Sequence, residues 1–176
     1  MDINELFNQF TLFDPAKGQR ANLPAVEGNY IVVLKAGCNI PDVLGNFKYT
    51  EVSLHGVDYR VLYTGVASDL KRRIWTNHLH GNGGTSTFRK TLGSLFGYQK
   101  IPRDKNYQIN KKTKFGAEDE KSLTAWMEHN LLFAYLANDK RNELESFLID
   151  SLLPPLNVEG SKAATLKRVH ELRCDK

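Results

Sequence analysis

The sequence predicts an α/β chain of the α+β type, with one small, mostly antiparallel central sheet flanked by helices. Three observations lead there. Short runs rich in β-branched residues are bounded by turn signals. Two of these runs are joined tightly enough to form a hairpin. Around them stand stretches whose apolar residues recur at helical spacing. The order reads β, β-hairpin, α, α, β, α, which suits one mixed domain. A chain of 176 residues with 41% hydrophobic content can bury a real core, and wholesale disorder is excluded.

Each element has its own signal. Residues 1–27 hold a short helical pattern (Ile3, Leu6, Phe7, Phe10) and a polar, proline-containing lead-in. NYIVVLKA, residues 29–36, reads as a buried strand. After a loop with Gly37, Pro41 and Gly45, KYTEVSL alternates like a half-exposed strand, HGVD turns, and YRVLYTG returns. Ser68 or Asp69 can cap a helix running to about Leu79. HGNGG breaks the chain, and Thr85 or Ser86 can cap a second helix, TFRKTLGSLF, with Phe88, Leu92, Leu95 and Phe96 on one face. A basic loop, YQKIPRDKNYQINKKTK, follows over 98–114. DEKSLTAWMEHN reads as a short helix or turn and LLFAYLA, 131–137, as a further buried strand. DKRNELESFLIDSLL is an amphipathic helix ended by Pro154 and Pro155, and a basic tail closes the chain. The predicted organisation is therefore a lead-in over 1–27, a domain over 28–158 and a tail over 159–176.

Composition narrows the function classes. The net charge of +4 favours anionic partners, and the basic loop and tail concentrate it. Both segments also suit plain solvated faces. No run has the apolar length of a membrane helix, and MDINELFNQF lacks the pattern of a secretory leader. Cys38 and Cys174 have no CxxC partners, so neither zinc nor a disulfide framework is indicated. The expectation is a cytoplasmic protein without a membrane association.

The last helix carries the sharpest signal. At ~100° per residue, Leu144, Phe147, Leu148, Ile149, Leu152 and Leu153 span one apolar arc, and Glu145 falls inside it. Glu143 and Asp150 fall outside, where charges belong. A buried carboxylate without a partner costs on the order of several kcal/mol or stays protonated. Glu145 therefore calls for a metal ion, an arginine or several hydrogen bonds; a salt bridge at the core edge satisfies it equally well.

With these residues in place the chain resembles the GIY-YIG nuclease superfamily. Gly28-Asn29-Tyr30 stands in the first motif and Tyr63-Thr64-Gly65 in the second, with Asn29 and Thr64 where the motifs have isoleucine. Arg73 in SDLKRRI matches the family arginine, Glu145 the family glutamate, and Asn157 the asparagine that ends that run. HLHGNGGTSTFRKTLGSLFG and LTAWM resemble a subgroup of uncharacterised stand-alone bacterial members.

The resemblance implies a metal-dependent phosphodiesterase acting on DNA rather than RNA, an endonuclease with Tyr30, Tyr63, Arg73, His78 and Glu145 at its centre. Glu145 would hold a single divalent ion, Mg2+ or Mn2+. Arg73 would neutralise charge on the phosphate, and Tyr30 or Tyr63 would position or deprotonate the attacking water. Gly65 and Asn157 would support the site, while Arg72, Arg89, Lys111, Lys112 and Lys114 would meet the nucleic acid. Many relatives place a histidine four residues beyond the arginine. Here position 77 is Asn and His78 stands five beyond Arg73. In a regular helix that spacing puts the two side chains ~140° apart, so His78 either faces elsewhere or is realigned by a π-bulge. Arg89 at the edge of its helix's apolar face fits a phosphate contact or a surface position. His80 reads as a solvated helix end, His129 and Trp126 as packing residues, and GNGG as a helix-connecting turn. Specificity is expected from the loops at 37–46, 81–86 and 98–117 or from a protein partner. The contrasting reading is a nucleic-acid-binding module on the same fold that does not cleave.

Overall fold

The computed structural model describes residues 3–41, 48–157 and 171. The basic tail, apart from Glu171, and positions 42–47 of the 37–46 loop lie outside the described residues. A five-stranded, wholly antiparallel sheet forms the centre: β1 (Thr11–Phe13), β2 (Gly28–Leu34), β3 (Glu51–Leu54), β4 (Val57–Ala67) and β7 (Leu131–Ala137), in the order β1-β7-β2-β4-β3. Among the described residues six helices longer than a single 3-10 turn accompany it: α1 (Ile3–Asn8), a π-helix (Arg72–Leu79), α2 (Thr87–Leu95), α3 (Tyr107–Asn110), α4 (Ala117–Asn130) and α5 (Arg141–Leu152). The expected α+β architecture is what the chain adopts.

Alternation in β2 explains the layering. The strand is buried along its whole length, as its run of β-branched residues requires. Tyr30, Val32 and Leu34 face a core built from Leu70, Ile74, Phe88, Leu92, Leu123 and Met127 of the π-helix side, α2 and α4. Ile31 and Val33 face a second core with Leu6, Phe7 and Phe10 at the N-terminus and Leu148 and Leu152 of α5. The sheet is therefore covered on both faces.

Several elements differ from the sequence expectation. Thr11–Phe13, inside the predicted lead-in, pairs with β7 as an edge strand; three residues are too few for periodicity to register. The basic loop contains β5 (Lys100–Pro102) and β6 (Thr113–Phe115), paired as a two-stranded ribbon around α3. Their polar exposed faces hid them. The β3–β4 turn is tighter than HGVD suggested: His55 and Gly56 both take positive φ, 52° and 80°, the geometry of a two-residue hairpin turn.

Candidate active site

Two local irregularities assemble the site. The first is a bulge. Val32 pairs with Tyr63 but Val33 pairs with Val61, so Leu62 is one residue extra in β4. Side chains alternate along a strand, and one inserted residue switches the remainder to the other face. Val61 consequently packs in the α5-side core, whereas Tyr63 lies on the Tyr30 face. The two rings are 6.2 Å apart between centroids. Gly65 lies opposite Tyr30, and a Cβ there would sit 2.5 Å from the Tyr30 hydroxyl. The glycine of the second motif is thus the floor under the tyrosine of the first.

The second irregularity is the helix after β4. Asp69 caps it, accepting the Arg72 N–H at 2.8 Å. Over Arg72–Leu79 it then widens to i→i+5 bonding, which His80 N–H to Trp75 O at 3.0 Å continues. In a π-helix a residue five positions on returns to nearly the same face. His78 therefore comes back to the Arg73 side and points into the sheet. The realignment considered from sequence is present, extended over eight residues rather than one.

His78 is buried, with Nε2 2.7 Å from the Tyr30 hydroxyl and Nδ1 2.7 Å from Ser86 Oγ. Burial, and then the charges of Arg73 and Arg89, hold its pKa well below the usual imidazole range, so the ring is neutral. Tyr30 is wholly buried. Desolvation is the largest reason its pKa is raised well above the ordinary tyrosine value; the nearby Tyr63 acts in the same direction, and Arg73 opposes. Tyr63 is half-buried at the edge of the cluster.

Glu145 reaches the same place from the other face of the sheet. Half-burial raises its pKa, opposed first by Arg73 and then by a hydrogen bond from the Val66 backbone. Among the described residues Glu145 forms no ion pair within 4.0 Å; the Arg73 charge and the Val66 backbone only partly offset its burial. Arg73 is half-buried, whereas Arg72 is exposed. The apolar arc of α5 is narrower than its spacing suggested: Phe147 and Leu153 remain 44% and 42% exposed.

The two departures from the motifs also have partners. Asn29, fully buried, donates to Arg141 O at 2.7 Å and accepts from Asn138 Nδ2 at 3.0 Å, fastening the start of α5. Thr64 donates from Oγ1 to Tyr30 O at 3.0 Å. Its backbone N–H and C=O are both taken by the Asn157 side chain, at 2.9 Å each. Leu156 N–H adds a bond to Leu62 O at 3.0 Å. Residues 156–157 thus cover β4 where β3 has already ended, and Asn157 fastens that strand by the main chain of Thr64.

A family model described as the GIY-YIG catalytic domain matches residues 28–175. The chain belongs to the GIY-YIG family. No curated protein and no solved structure matches it. GIY-YIG domains are phosphodiesterases of the nuclease class, so the chain carries a nuclease domain whose substrate class is nucleic acid. The family generally uses a divalent metal. Among the described residues no three His, Cys, Asp or Glu side chains gather to hold one. Glu145 alone suits a hydrated hard cation that takes its other ligands from water and phosphate.

Of the residues expected at the nucleic acid, Arg72, Lys111 and Lys112 are exposed and Lys114 is partly so. Lys111 and Lys112 line a cavity of about 260 Å³ with Lys90, Gly83 and Gly84. Arg89 corrects both sequence expectations. It is 0% exposed, ion-paired to Glu120 at 2.6 Å, and donates to His78 O, Leu79 O, Glu120 O and Thr124 Oγ1. No side of its guanidinium is left for a phosphate. Glu120 in turn accepts the N–H groups of Gly83 and Phe115, so the GNGG turn is anchored from α4. His80 is exposed as expected, over Trp75; Trp126 packs on Phe96, while His129 is exposed rather than packed. Sequence reasoning missed Ser86 and Glu120. Ser86 showed only its capping signal, and Glu120 looked like one of several acids opening a helix. No described helix is long and apolar enough to cross a membrane.

Proposed function

We propose that this GIY-YIG chain is a divalent-metal-dependent endonuclease acting on DNA. The observation that carries the reading is the gathering of the two motif tyrosines, 6.2 Å apart between ring centroids, with His78 on the Tyr30 hydroxyl and the charges of Arg73 and Glu145 acting on the same group. A cation and a half-buried anion from different elements both act on this cluster, at whose edge Tyr63 is half-buried. A structural ion pair needs no tyrosine cluster behind it; phosphodiester cleavage needs all three groups.

The roles follow from exposure and charge. Tyr63, at the cluster's edge, orients the attacking water, while Tyr30, buried with a raised pKa, stays protonated behind it. Arg73 neutralises charge developing on the phosphate with its fixed fork of donors. Glu145 would hold the single ion, Mg2+ or Mn2+, which when bound would polarise the phosphate and stabilise the leaving oxygen. Lys111, Lys112 and Lys114, with Arg72, supply a sequence-independent, salt-sensitive grip. A protein partner or the loops around 37–46, 81–86 and 98–117 would supply specificity.

The test is nicking of a supercoiled plasmid with Mg2+ or Mn2+, set against binding of the same plasmid in EDTA. Nicking with the metal is expected. Binding in EDTA with no nicking under either metal would favour the alternative, a non-cleaving nucleic-acid-binding module.

A further inference from the structure

Ser86 stands behind the cluster with one proton and two claims on its oxygen. As the N-cap of α2 its Oγ accepts the Arg89 N–H at 3.0 Å. The same Oγ lies 2.7 Å from His78 Nδ1, and His78 Nε2 lies 2.7 Å from the Tyr30 hydroxyl. Ser86, His78 and Tyr30 are each no more than 1% exposed, so every proton among them needs an acceptor inside the protein. The neutral imidazole brings one ring proton and the hydroxyl brings one.

Two directions of the chain are possible, and they are not equivalent. With the ring proton on Nδ1, the serine oxygen receives two N–H donors, and its own proton finds no protein acceptor among the described residues. With the ring proton on Nε2, Ser86 donates to Nδ1, His78 donates to Tyr30, and the Tyr30 proton is turned toward Tyr63, the neighbouring ring at the half-buried edge of the cluster. The serine proton and the ring proton are then both accepted, and the tyrosine proton faces the open edge of the cluster instead of the closed end at Ser86. The polarity is set at one end by a main-chain N–H that cannot turn round.

We propose that Ser86 is a positioning residue: by capping α2 while donating to Nδ1, it locks His78 as the Nε2–H tautomer and aims the Tyr30–Tyr63 hydroxyl pair at the substrate. This rests on the nuclease reading for its consequence, although the tautomer itself does not.

The experiment has two arms. Long-range 1H–15N spectra of the protein labelled at histidine nitrogen distinguish the two tautomers directly. The native protein should show His78 as a single Nε2–H form. Ser86→Gly keeps an acceptable helix cap but has no hydroxyl, and should show a mixture or the Nδ1–H form. Ser86→Thr should restore the native pattern. In plasmid nicking, Ser86→Gly should lower kcat about tenfold or more with KM little changed, and Ser86→Thr should recover most of the loss. A native His78 protonated on Nδ1 would overturn the proposal, as would a folded Ser86→Gly with native tautomer and native kcat. The native spectrum needs no variant, so poor folding of a substitution does not remove the test. If the native protein does not cleave DNA, the nuclease reading fails while the spectra still decide Ser86.

Discussion

At the scale of single residues, neighbouring arginines make the sharpest contrast. Arg73 is half-buried and its charge acts on Glu145, Tyr30 and His78, whereas Arg72 is exposed. Arg73→Ala should abolish nicking while leaving most plasmid binding, whereas Arg72→Ala should be mild; equal loss in both would show that the division between them is wrong. Glu145 gives a second test. Its carboxyl has a folded pKa raised by half-burial, so ionisation opposes folding. That penalty is present above the folded pKa and disappears as pH falls through it. Glu145→Gln should therefore leave stability at neutral pH unchanged or slightly raised, and should flatten its dependence on pH just above the ordinary carboxylate range. Nicking should fall to background, and added Mg2+ should no longer raise Tm. Marked destabilisation with nicking intact would make Glu145 a structural ion-pair partner instead. Glu145 was legible in the sequence because a charge inside an apolar arc contradicts the helical period. Arg89 was not, because an arginine at the edge of such an arc reads equally well as surface, and its carboxylate partner lies 31 residues away.

At the scale of elements, the regular pieces were legible and the irregular ones were not. LLFAYLA is strand β7 over its full length, and Ser86 caps α2 as its residue type suggests. The bulge at Leu62 left no trace, because VLY is equally apolar in either register. Yet that bulge turns Tyr63 to the site face. The Arg89–Glu120 pair belongs to this scale too, since it ties α2, α4, β6, the GNGG turn and the end of the π-helix together. Arg89→Ala leaves a carboxylate and several carbonyls without their donor, and should cost about 3–5 kcal/mol in urea unfolding. It should not change the salt dependence of plasmid binding, as removal of a phosphate-binding arginine would.

For the whole molecule, the sheet is a plate covered on both faces, and the site lies where the two coverings meet β4. Asn157 closes that join from the far end of the chain. Asn157→Ala strands the N–H and C=O of buried Thr64, which should cost about 2–5 kcal/mol, seen as a lower Tm and weaker nicking together. The basic side should show its effect in salt dependence. Replacing Lys111 and Lys112 together with alanine should reduce the slope of log binding against log salt by about 0.9 for each phosphate that the lysines neutralise, with Tm unchanged. An unaltered slope would place the nucleic acid elsewhere on the surface.

An α-helix forced to accept one additional residue relieves the insertion by widening to i→i+5 bonding. The π-helix over Arg72–Leu79 can therefore be read as a helix holding one residue of spare length. Deleting Asn77 should take up that slack, leaving an α-helix in which the histidine follows Arg73 by four positions and still meets Tyr30. Such a protein should melt no lower than the native one and still nick plasmid. Deleting one residue from the middle of α2, a regular helix packed through Phe88, Leu92 and Leu95, should rotate its apolar face out of the core and unfold it. The two deletions, compared by circular dichroism and Tm, should differ in this way, with a change of length tolerated at the π-helix and not in α2.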